Sequence, residues 1–299
     1  MPLHKSRRAF LFDATLTLAG AGSLLDCGEV QAATGSSPLM NIGMVTDMHF
    51  AEKQPAKTRY YRETLQKLDE AVVQFNKDKP SFVVELGDFI DRAESVDQEL
   101  EWLEKMKTQF QRIEAPKYYV LGNHCVDTLT KKEFQQHSGM PHPSQHTFEV
   151  NGAQFIILDA CFKQDGTAYG RHNFHWQDSW MPDHELRWLE SVLAGKKEQP
   201  VVVFAHQRLD QNEHHSVKNA AQVRAVLEKS GRVCAVFQGH SHKNEYQHLN
   251  GIHYTTLAAM IEGSGAANNS YSRLDIFPDG SLKLQGFRTQ KSHDLARNA

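Results

Sequence analysis

Five short apolar runs in this sequence are each followed by side chains that can bind a metal ion. The runs are rich in β-branched and aromatic residues, which predicts buried strands at residues 42–45, 82–86, 118–121, 201–205 and 233–237. Their polar ends supply carboxylate, imidazole and amide groups from Asp47, His49, Asp88, Asp91, Asn123, His124, His206, His240 and His242. Parallel strands end at one edge of a sheet, where ligands usually bind. We therefore predict one site that is assembled from several strand ends.

The mixture of ligand types favours two divalent metal ions. First-row metals at hydrolytic sites bind imidazole and carboxylate together, and a pair of ions needs a ligand that both share. Asp88 is the predicted bridge, because it is the first polar residue after a central strand. One ion would bind Asp47, His49, Asp88 and one C-terminal histidine. The other would bind Asp88, Asn123, His206 and the second C-terminal histidine, and the residues alone leave the order of these two histidines open.

Each motif alone has a common structural explanation. Gly87-Asp88 and Gly122-Asn123-His124 are both ordinary turn sequences after a strand. A single histidine such as His206 is more often a core residue with a hydrogen-bond partner than a metal ligand. Only their recurrence at successive strand ends makes the prediction specific.

The composition is that of an ordinary globular protein. The 299 residues suffice for one large or two small α/β domains, and 40% are hydrophobic and 23% charged. A formal net charge of −3 and the lack of a basic stripe argue against dedicated nucleic-acid binding. No run approaches the roughly 18 apolar residues of a transmembrane helix, so no transmembrane segment is predicted. The oligomeric state is not determined by these features.

Residues 1–32 are predicted to be an export leader of the twin-arginine type. Arg7-Arg8 precedes a short apolar segment at residues 14–25, and Val30-Gln31-Ala32 fits a cleavage site. This predicts a bacterial protein of the periplasm or the extracellular space, and a disordered basic extension is the alternative. The remaining predicted segments are a linker at 33–40, a folded domain at 41–290 and a C-terminal tail at 291–299.

The cysteines do not predict a disulfide scaffold. Cys27 would leave with the leader, and the odd number that remains is made up of Cys125, Cys161 and Cys234. Cys234 lies in a predicted buried strand and is expected in the core. Cys125 and Cys161 both follow strand ends, and the sequence leaves open whether they form a disulfide.

Alternating strands and helices predict an α/β fold. Amphipathic helices at 60–77 and 96–113 separate the first three strands, which favours a parallel sheet covered by helices. The other predicted elements are a capping box at Thr130 to Glu133, helices at 183–194 and 218–230, and hairpins at 146–158, 246–256 and 272–287. We expect one domain with two sheets between two helical layers. Residues 162–182 form a loop that is rich in aromatic and histidine rings, which we call the ring-rich loop. We expect equally that it packs on the surface or that it binds substrate.

In their order along the chain, the motifs D-x-H, G-D-x-x-D, G-N-H, a lone histidine and G-H-x-H resemble the calcineurin-like metallophosphoesterase superfamily. The resemblance extends over about residues 41–287 and implies a four-layer α/β/β/α sandwich. It implies that a hydroxide shared by the two metal ions attacks phosphorus. The implied ligand sets are Asp47, His49, Asp88 and His242 for one ion, and Asp88, Asn123, His206 and His240 for the other.

The resemblance also implies a role for His124, which does not bind metal in this superfamily. His124 would act as a general acid or as a hydrogen-bond donor to the phosphate, and Asp91 would orient it. The chain departs from the usual pattern at Cys125, where the superfamily mostly has Asp or Glu. It also has Gln207-Arg208 where x-P is common, so Arg208 is a candidate phosphate contact or else a surface arginine.

Within the superfamily, four stretches resemble the manganese-dependent ADP-ribose/CDP-alcohol diphosphatases. They are residues 59–62, 155–160, 251–257 and 260–262. This resemblance implies diphosphate or phosphodiester substrates of the nucleotide type. It also implies manganese as the preferred metal, with Fe, Zn, Co or Mg as alternatives. Residues 214–219 do not resemble the base-side loop of that group, and the middle loop is shorter.

The sequence therefore predicts an exported, two-metal phosphohydrolase that acts on a small-molecule phosphodiester or diphosphate. A phosphomonoesterase of the alkaline or acid phosphatase kind is the alternative. It would need additional cations for a dianionic phosphate, for which Arg92, Arg171 and Arg208 are candidates. We predict Arg171 and Arg208 as the substrate contacts. A metal-binding protein without turnover is a third possibility, which only Cys125 supports.

Overall fold

The computed structural model describes residues 37–195 and 199–296 of the chain. The predicted leader, residues 1–32, lies outside the described residues, as do residues 33–36 of the predicted linker and 297–299 of the predicted tail. The described residues belong to one compact unit.

Within the described ranges, the secondary structure consists of five α-helices, twelve strands and a few short 3-10 turns. In chain order, the helices and strands are β1 (Met40–Val45), α1 (Thr64–Asp78), β2 (Phe82–Glu85), α2 (Val96–Phe110), β3 (Lys117–Tyr119), α3 (Lys131–Ser138), β4 (His146–Val150), β5 (Ala153–Ile157), α4 (Asp183–Leu193), β6 (Val201–Phe204), α5 (Ala220–Ser230), β7 (Val233–Gln238), β8 (Glu245–Leu249), β9 (Ile252–Thr256), β10 (Ser270–Ile276), β11 (Leu282–Arg288) and β12 (His293–Leu295). None of the helices in the described part of the chain has the length and apolar character that crossing a membrane requires.

The described strands form two six-stranded sheets. The first has the order β12-β11-β10-β1-β2-β3, and the second has the order β4-β5-β6-β7-β9-β8. The neighbours β1, β2 and β3 are parallel, and so are β5, β6, β7 and β9. Each sheet therefore contains parallel strands whose carboxyl ends lie at one edge of the sheet. This is the arrangement that we predicted from the apolar runs.

The layers of the fold follow from the side chains that each sheet buries. One apolar cluster joins β1 and β2 to β5, β6 and β7, and within it Phe82 makes edge contacts with Phe155 and Phe204. A second cluster packs α1 and α2 against the first sheet, and a third packs α4 and α5 against the second. The structure is a four-layer α/β/β/α sandwich, so the predicted fold class is confirmed.

Several local predictions agree with the structure, and a few boundaries move. Thr130 and Glu133 form the predicted capping box, and Asn151 and Gly152 have the positive φ angles of a type I′ turn, 46° and 82°. Helix α1 begins at Thr64 after a 3-10 turn, and α2 ends at Phe110. Three residues of the predicted tail, 293–295, pair with β11 as β12. A strand this short carries too little alternation to be predicted from sequence.

The cysteines in the described part of the chain are free thiols, so Cys125 and Cys161 do not form the disulfide that the sequence left open. Both are buried, and the Cys161 Sγ atom lies 3.5 Å from the carbonyl oxygen of Leu121. This contact joins the end of β5 to the segment that follows β3.

Candidate metal centre

The predicted ligands converge from the strand ends of both sheets. Asp88 Oδ2, after β2, lies 3.1 Å from His206 Nε2, after β6, and 3.5 Å from His49 Nε2, after β1. His242 Nε2, after β7, lies 3.4 Å from Asp47 Oδ1. Asp88 therefore lies between His49 and His206.

Two groups of ligand atoms are close enough for each to hold a metal ion. They are Asp47 with His49 and His242, and Asp88 with His206 and His240. Within each group the ligand atoms all lie within 4.8 Å of one another. A third possible group, His49 with Asp91 and His124, shares His49 with the first. The geometry therefore places His242 with the first group and His240 with the second.

Asn123 carries a buried polar atom at the site that has no hydrogen-bond partner among the described residues. This atom is the side-chain oxygen Oδ1, and Asn123 is 2% exposed. An unpaired buried polar atom costs about 1–3 kcal/mol, so such atoms are rare. A divalent ion would satisfy Oδ1 of Asn123, and a set of imidazole nitrogens with carboxylate and amide oxygens suits first-row metals. The residues present therefore fit a pair of divalent ions.

The backbone at the site adopts unfavourable conformations. Five ligand candidates have positive φ angles: Asp47 at 49°, His49 at 44°, Asp88 at 57°, His240 at 68° and His242 at 63°. For residues other than glycine, such conformations cost about 1–3 kcal/mol each and cluster at functional sites. Their concentration here indicates a site whose geometry is maintained at the expense of stability.

Two glycines allow the strand ends to approach one another. A Cβ atom on Gly122 would lie 2.2 Å from Oδ1 of Asp88, and one on Gly239 would lie 2.5 Å from Oδ2 of Asp47. Nonbonded heavy atoms need about 3.5 Å, so no larger side chain fits at either position. The glycines of the G-N-H and G-H-x-H motifs are thus required for space.

Neighbouring groups orient the histidines. His206 Nδ1 lies 2.8 Å from the carbonyl oxygen of Leu86 and donates to it, so the other ring nitrogen, Nε2, faces Asp88. His242 Nδ1 lies 2.6 Å from Glu262 Oε1, so Nε2 of His242 likewise faces the site. These contacts select the tautomers that a metal site needs.

The carboxylates of the site are held in their ionised form. Burial alone would raise the pKa of Asp88, but the adjacent His206 imidazole and its neighbours hold that pKa well below its ordinary value. Burial likewise acts to raise the pKa of Asp47, and its contacts with His242 outweigh this and lower it. Ionised carboxylates are the form that binds metal.

Comparison with known proteins identifies the family. The family model for calcineurin-like phosphoesterases matches residues 40–244, which include all of the ligand motifs. The chain belongs to the calcineurin-like phosphoesterase family. The predicted superfamily is thereby confirmed, and the protein is a metal-dependent hydrolase of phosphoric esters or anhydrides.

Relatives of this phosphoesterase match it over most of their length. A protein of Oryza sativa subsp. japonica named manganese-dependent ADP-ribose/CDP-alcohol diphosphatase is 25% identical, over 84% of this chain and 92% of the rice protein. The protein of the same name from Arabidopsis thaliana is 23% identical, over 86% of this chain and 97% of its own. A crystal structure of a dimetal phosphatase from Danio rerio has a TM-score of 0.78 at 18% identity, covering 88% of this chain and 100% of that one. At this identity the superposition shows the shared fold alone.

In this phosphoesterase, His124 lines a cleft beside the ligand groups. Its Nδ1 atom lies 3.3 Å from Asp91 Oδ1, and its ring meets that of His49 edge-on at 4.6 Å. Burial acts to lower the pKa of His124, but the charges of Asp88 and Asp91 outweigh burial and raise it. Asp91 therefore holds the imidazole of His124 at the wall of the cleft.

Arg208 and Arg171, the predicted substrate contacts, each form an ion pair with a carboxylate. Arg208 is 2% exposed and bonds both carboxylate oxygens of Asp210, at 2.9 and 2.7 Å, as well as Glu245. Arg171 is paired with Glu133. Both guanidinium groups are thus paired with carboxylates within the protein, and neither residue is among those that line the cleft.

The cleft is also lined by three residues that were not predicted as site residues, Arg59, Trp176 and His215. Its volume is about 260 Å³. The rings of Trp176 and His215 lie 5.2 Å apart, and each lies within 5.7 Å of the His240 ring, so they form one aromatic wall. Trp176 lies in the ring-rich loop whose role the sequence left open. Arg59 appeared only in a stretch that resembled the diphosphatases, and His215 had no sequence signal of its own.

Proposed function

We propose that this chain is a two-metal hydrolase that cleaves a diphosphate or phosphodiester bond in a small nucleotide-type molecule, with manganese as the preferred metal. The observation that carries the proposal is the pair of adjacent ligand groups, of which one contains Asp88 and the other contains His49, 3.5 Å from Asp88. The relatives from rice and Arabidopsis, which are named manganese-dependent ADP-ribose/CDP-alcohol diphosphatases, support the substrate class.

The proposed ligands of the two ions follow the two groups. They are Asp47, His49, Asp88 and His242 for one ion, and Asp88, Asn123, His206 and His240 for the other. Divalent ions at such a site acidify water and neutralise charge on phosphoryl oxygens. Manganese accepts this mixture of nitrogen and oxygen ligands, as do Fe, Zn, Co and Mg, so its selection rests on the names of the relatives.

The side chains of the cleft would position the substrate and deliver a proton. Asp91 holds His124 through one ring nitrogen, and we propose that the other donates to the leaving oxygen as a general acid. Arg59 supplies a cation on the wall of the cleft, where it would bind a phosphoryl oxygen. The aromatic wall of Trp176 and His215 suits a substrate that carries a planar ring.

Hydrolysis assays with the purified full-length chain test this function. We expect turnover of ADP-ribose or bis-p-nitrophenyl phosphate that depends on Mn²⁺ and disappears in Asp88→Asn, because both proposed ions would lose the carboxylate that they share. Asp69→Asn is the matched control, since Asp69 is a surface carboxylate paired with Arg112, and it should retain turnover.

Two other outcomes would favour the alternatives. Turnover of p-nitrophenyl phosphate alone would favour a phosphomonoesterase, although Arg171 and Arg208 are already paired with carboxylates. Two bound Mn²⁺ ions without turnover of any substrate would favour a metal-binding protein.

Export through a twin-arginine leader is also part of the proposal and rests on residues 1–32 of the sequence alone. Expression in a bacterial host followed by cell fractionation tests it. The wild-type chain should reach the periplasm, and replacement of Arg7 and Arg8 by lysine should retain it in the cytoplasm. Equal distribution of the two proteins would contradict a twin-arginine route.

A further inference from the structure

The ammonium group of Lys67, in α1, is surrounded by backbone carbonyl oxygens, and Lys67 is only 2% exposed. Its ammonium donates to the carbonyl oxygens of Met260 at 2.8 Å, Glu262 at 2.9 Å and Gly263 at 2.7 Å, and that of Asn268 lies at 3.4 Å. The three shorter bonds use all three N–H groups of an ammonium. A buried charge is tolerated here because carbonyl dipoles replace its hydration shell.

Glu63, the residue directly before α1, binds the same part of the chain at a second place. Glu63 accepts from the backbone N–H of Gly265 at 2.6 Å and from the hydroxyl of Ser264 at 3.0 Å. Asn269 donates to the carbonyl oxygen of Lys67 at 2.9 Å. Residues four apart lie on one face of a helical segment, so Glu63 and Lys67 clamp the loop together. We call residues 260–269 the clamped loop.

The clamped loop contacts the metal centre on its other side. The backbone N–H of Ile261 donates to the carbonyl oxygen of Asp47 at 3.1 Å. Glu262 forms a β-bridge with Arg59, and its carboxylate lies 2.6 Å from His242 Nδ1. The loop therefore connects α1 to a ligand histidine and to a cation of the cleft.

We propose that Lys67 and Glu63 are positioning residues for the ligand group that contains His242. A carboxylate that accepts the second ring N–H of a ligand histidine fixes its tautomer and orientation. Glu262 has this place, and Lys67 bonds the carbonyl oxygen of Glu262 itself. Loss of these contacts would release the clamped loop and therefore let His242 move. The second ligand group lies on strand ends that the clamped loop does not hold.

Manganese binding by Lys67→Met tests this inference, which rests on the two-metal function proposed above. We would titrate Mn²⁺ into the metal-free full-length chain and follow the bound ions by EPR. The wild type should bind two ions. In Lys67→Met, and in Glu262→Gln, one ion should bind about 10- to 100-fold more weakly while the other keeps its wild-type affinity.

Lys117→Met is the matched control. Lys117 also donates to two backbone carbonyl oxygens, those of Ile113 at 2.6 Å and Ala115 at 3.0 Å, but it lies at the start of β3, away from the cleft. Its loss should leave both affinities unchanged. Wild-type affinity for both ions in Lys67→Met, or equal weakening of both, would overturn the inference.

A second variant covers the case in which Lys67→Met does not fold. Glu63→Gln is then tested in the same titration. Weaker binding of one Mn²⁺ ion would support the inference, and unchanged binding of both ions would overturn it. A wild-type chain that binds two ions but hydrolyses no substrate would contradict the proposed function alone. A wild-type chain that binds no Mn²⁺ would overturn both.

Discussion

Replacement of Gly122 by alanine tests the close approach of the strand ends. The added Cβ atom would lie 2.2 Å from both the backbone nitrogen and Oδ1 of Asp88. This is more than about 1 Å inside the ordinary nonbonded distance of about 3.5 Å. Asp88 has little room to give way, because it is 1% exposed and already has a φ angle of 57°. The strand end that carries Asp88 must therefore move by about 1 Å.

This movement displaces the Asp88 carboxylate, which belongs to one ligand group and lies 3.5 Å from His49 of the other. A displacement of about 1 Å at a catalytic centre costs about 100-fold in rate. Overpacking of a close-packed site costs about 1–3 kcal/mol of stability. We expect Gly122→Ala to lower kcat/KM for bis-p-nitrophenyl phosphate by about 100-fold or more and the free energy of unfolding by about 1–3 kcal/mol.

The assay compares Gly122→Ala with Gly195→Ala at equal Mn²⁺ concentration. Gly195 is a suitable control because the nearest contact of its added Cβ is the carbonyl oxygen of Val192 at 3.3 Å, and, like Gly122, it has no positive φ. The control should keep wild-type turnover. Wild-type kcat/KM and Mn²⁺ affinity in Gly122→Ala would refute the argument from close packing, even if stability fell.

Chelation and three substitutions probe other parts of the structure. EDTA should abolish hydrolysis and lower the melting temperature measured by calorimetry, and Mn²⁺ should restore both, because ions that bind only the folded state stabilise it. Trp176→Ala should raise KM for ADP-ribose about tenfold with little change in kcat, since a lost stacking contact costs about 1–3 kcal/mol; steady-state kinetics with Trp176→Phe as the control decide this. Phe82→Ala should lower the free energy of unfolding in urea by about 3–5 kcal/mol, because Phe82 is fully buried between the sheets. Burial raises the pKa of Glu185 from 4.5 to about 8, so the folded state keeps a proton that the unfolded state loses. Wild-type stability should therefore fall as pH rises through this window, and urea unfolding at pH 5 and 9 should show a smaller fall in Glu185→Gln.

Most helices and strands were predictable because they depend on local patterns. The capping box at Thr130 and Glu133 and the turn at Asn151-Gly152 involve only neighbouring residues, and both occur in the structure. Strand β12 was not predicted, because its three residues become a strand only through pairing with β11. Local sequence patterns thus account for most helices and strands, whereas β12 depends on pairing within the sheet.

The predicted substrate contacts show a different limit. Arg208 follows the metal-ligand candidate His206 closely in sequence, which suggested a phosphate contact. In the structure its charge is taken up by Asp210 and by Glu245, which lies 37 positions further along the chain. A sequence shows where a charge is, but the contacts that neutralise it depend on how the chain folds.

The sequence by itself determined which side chains could bind metal and that they follow strand ends, because strand, turn and ligand are all encoded within a few residues. The superfamily resemblance already implied how these ligands are grouped. Only the tertiary structure decided which arginines are paired and that Trp176 and His215 form a wall of the cleft. His49 and His242 are 193 positions apart, yet their Nε2 atoms lie 3.1 Å apart. Such contacts arise because the two sheets pack face to face and bring their strand ends together at one edge.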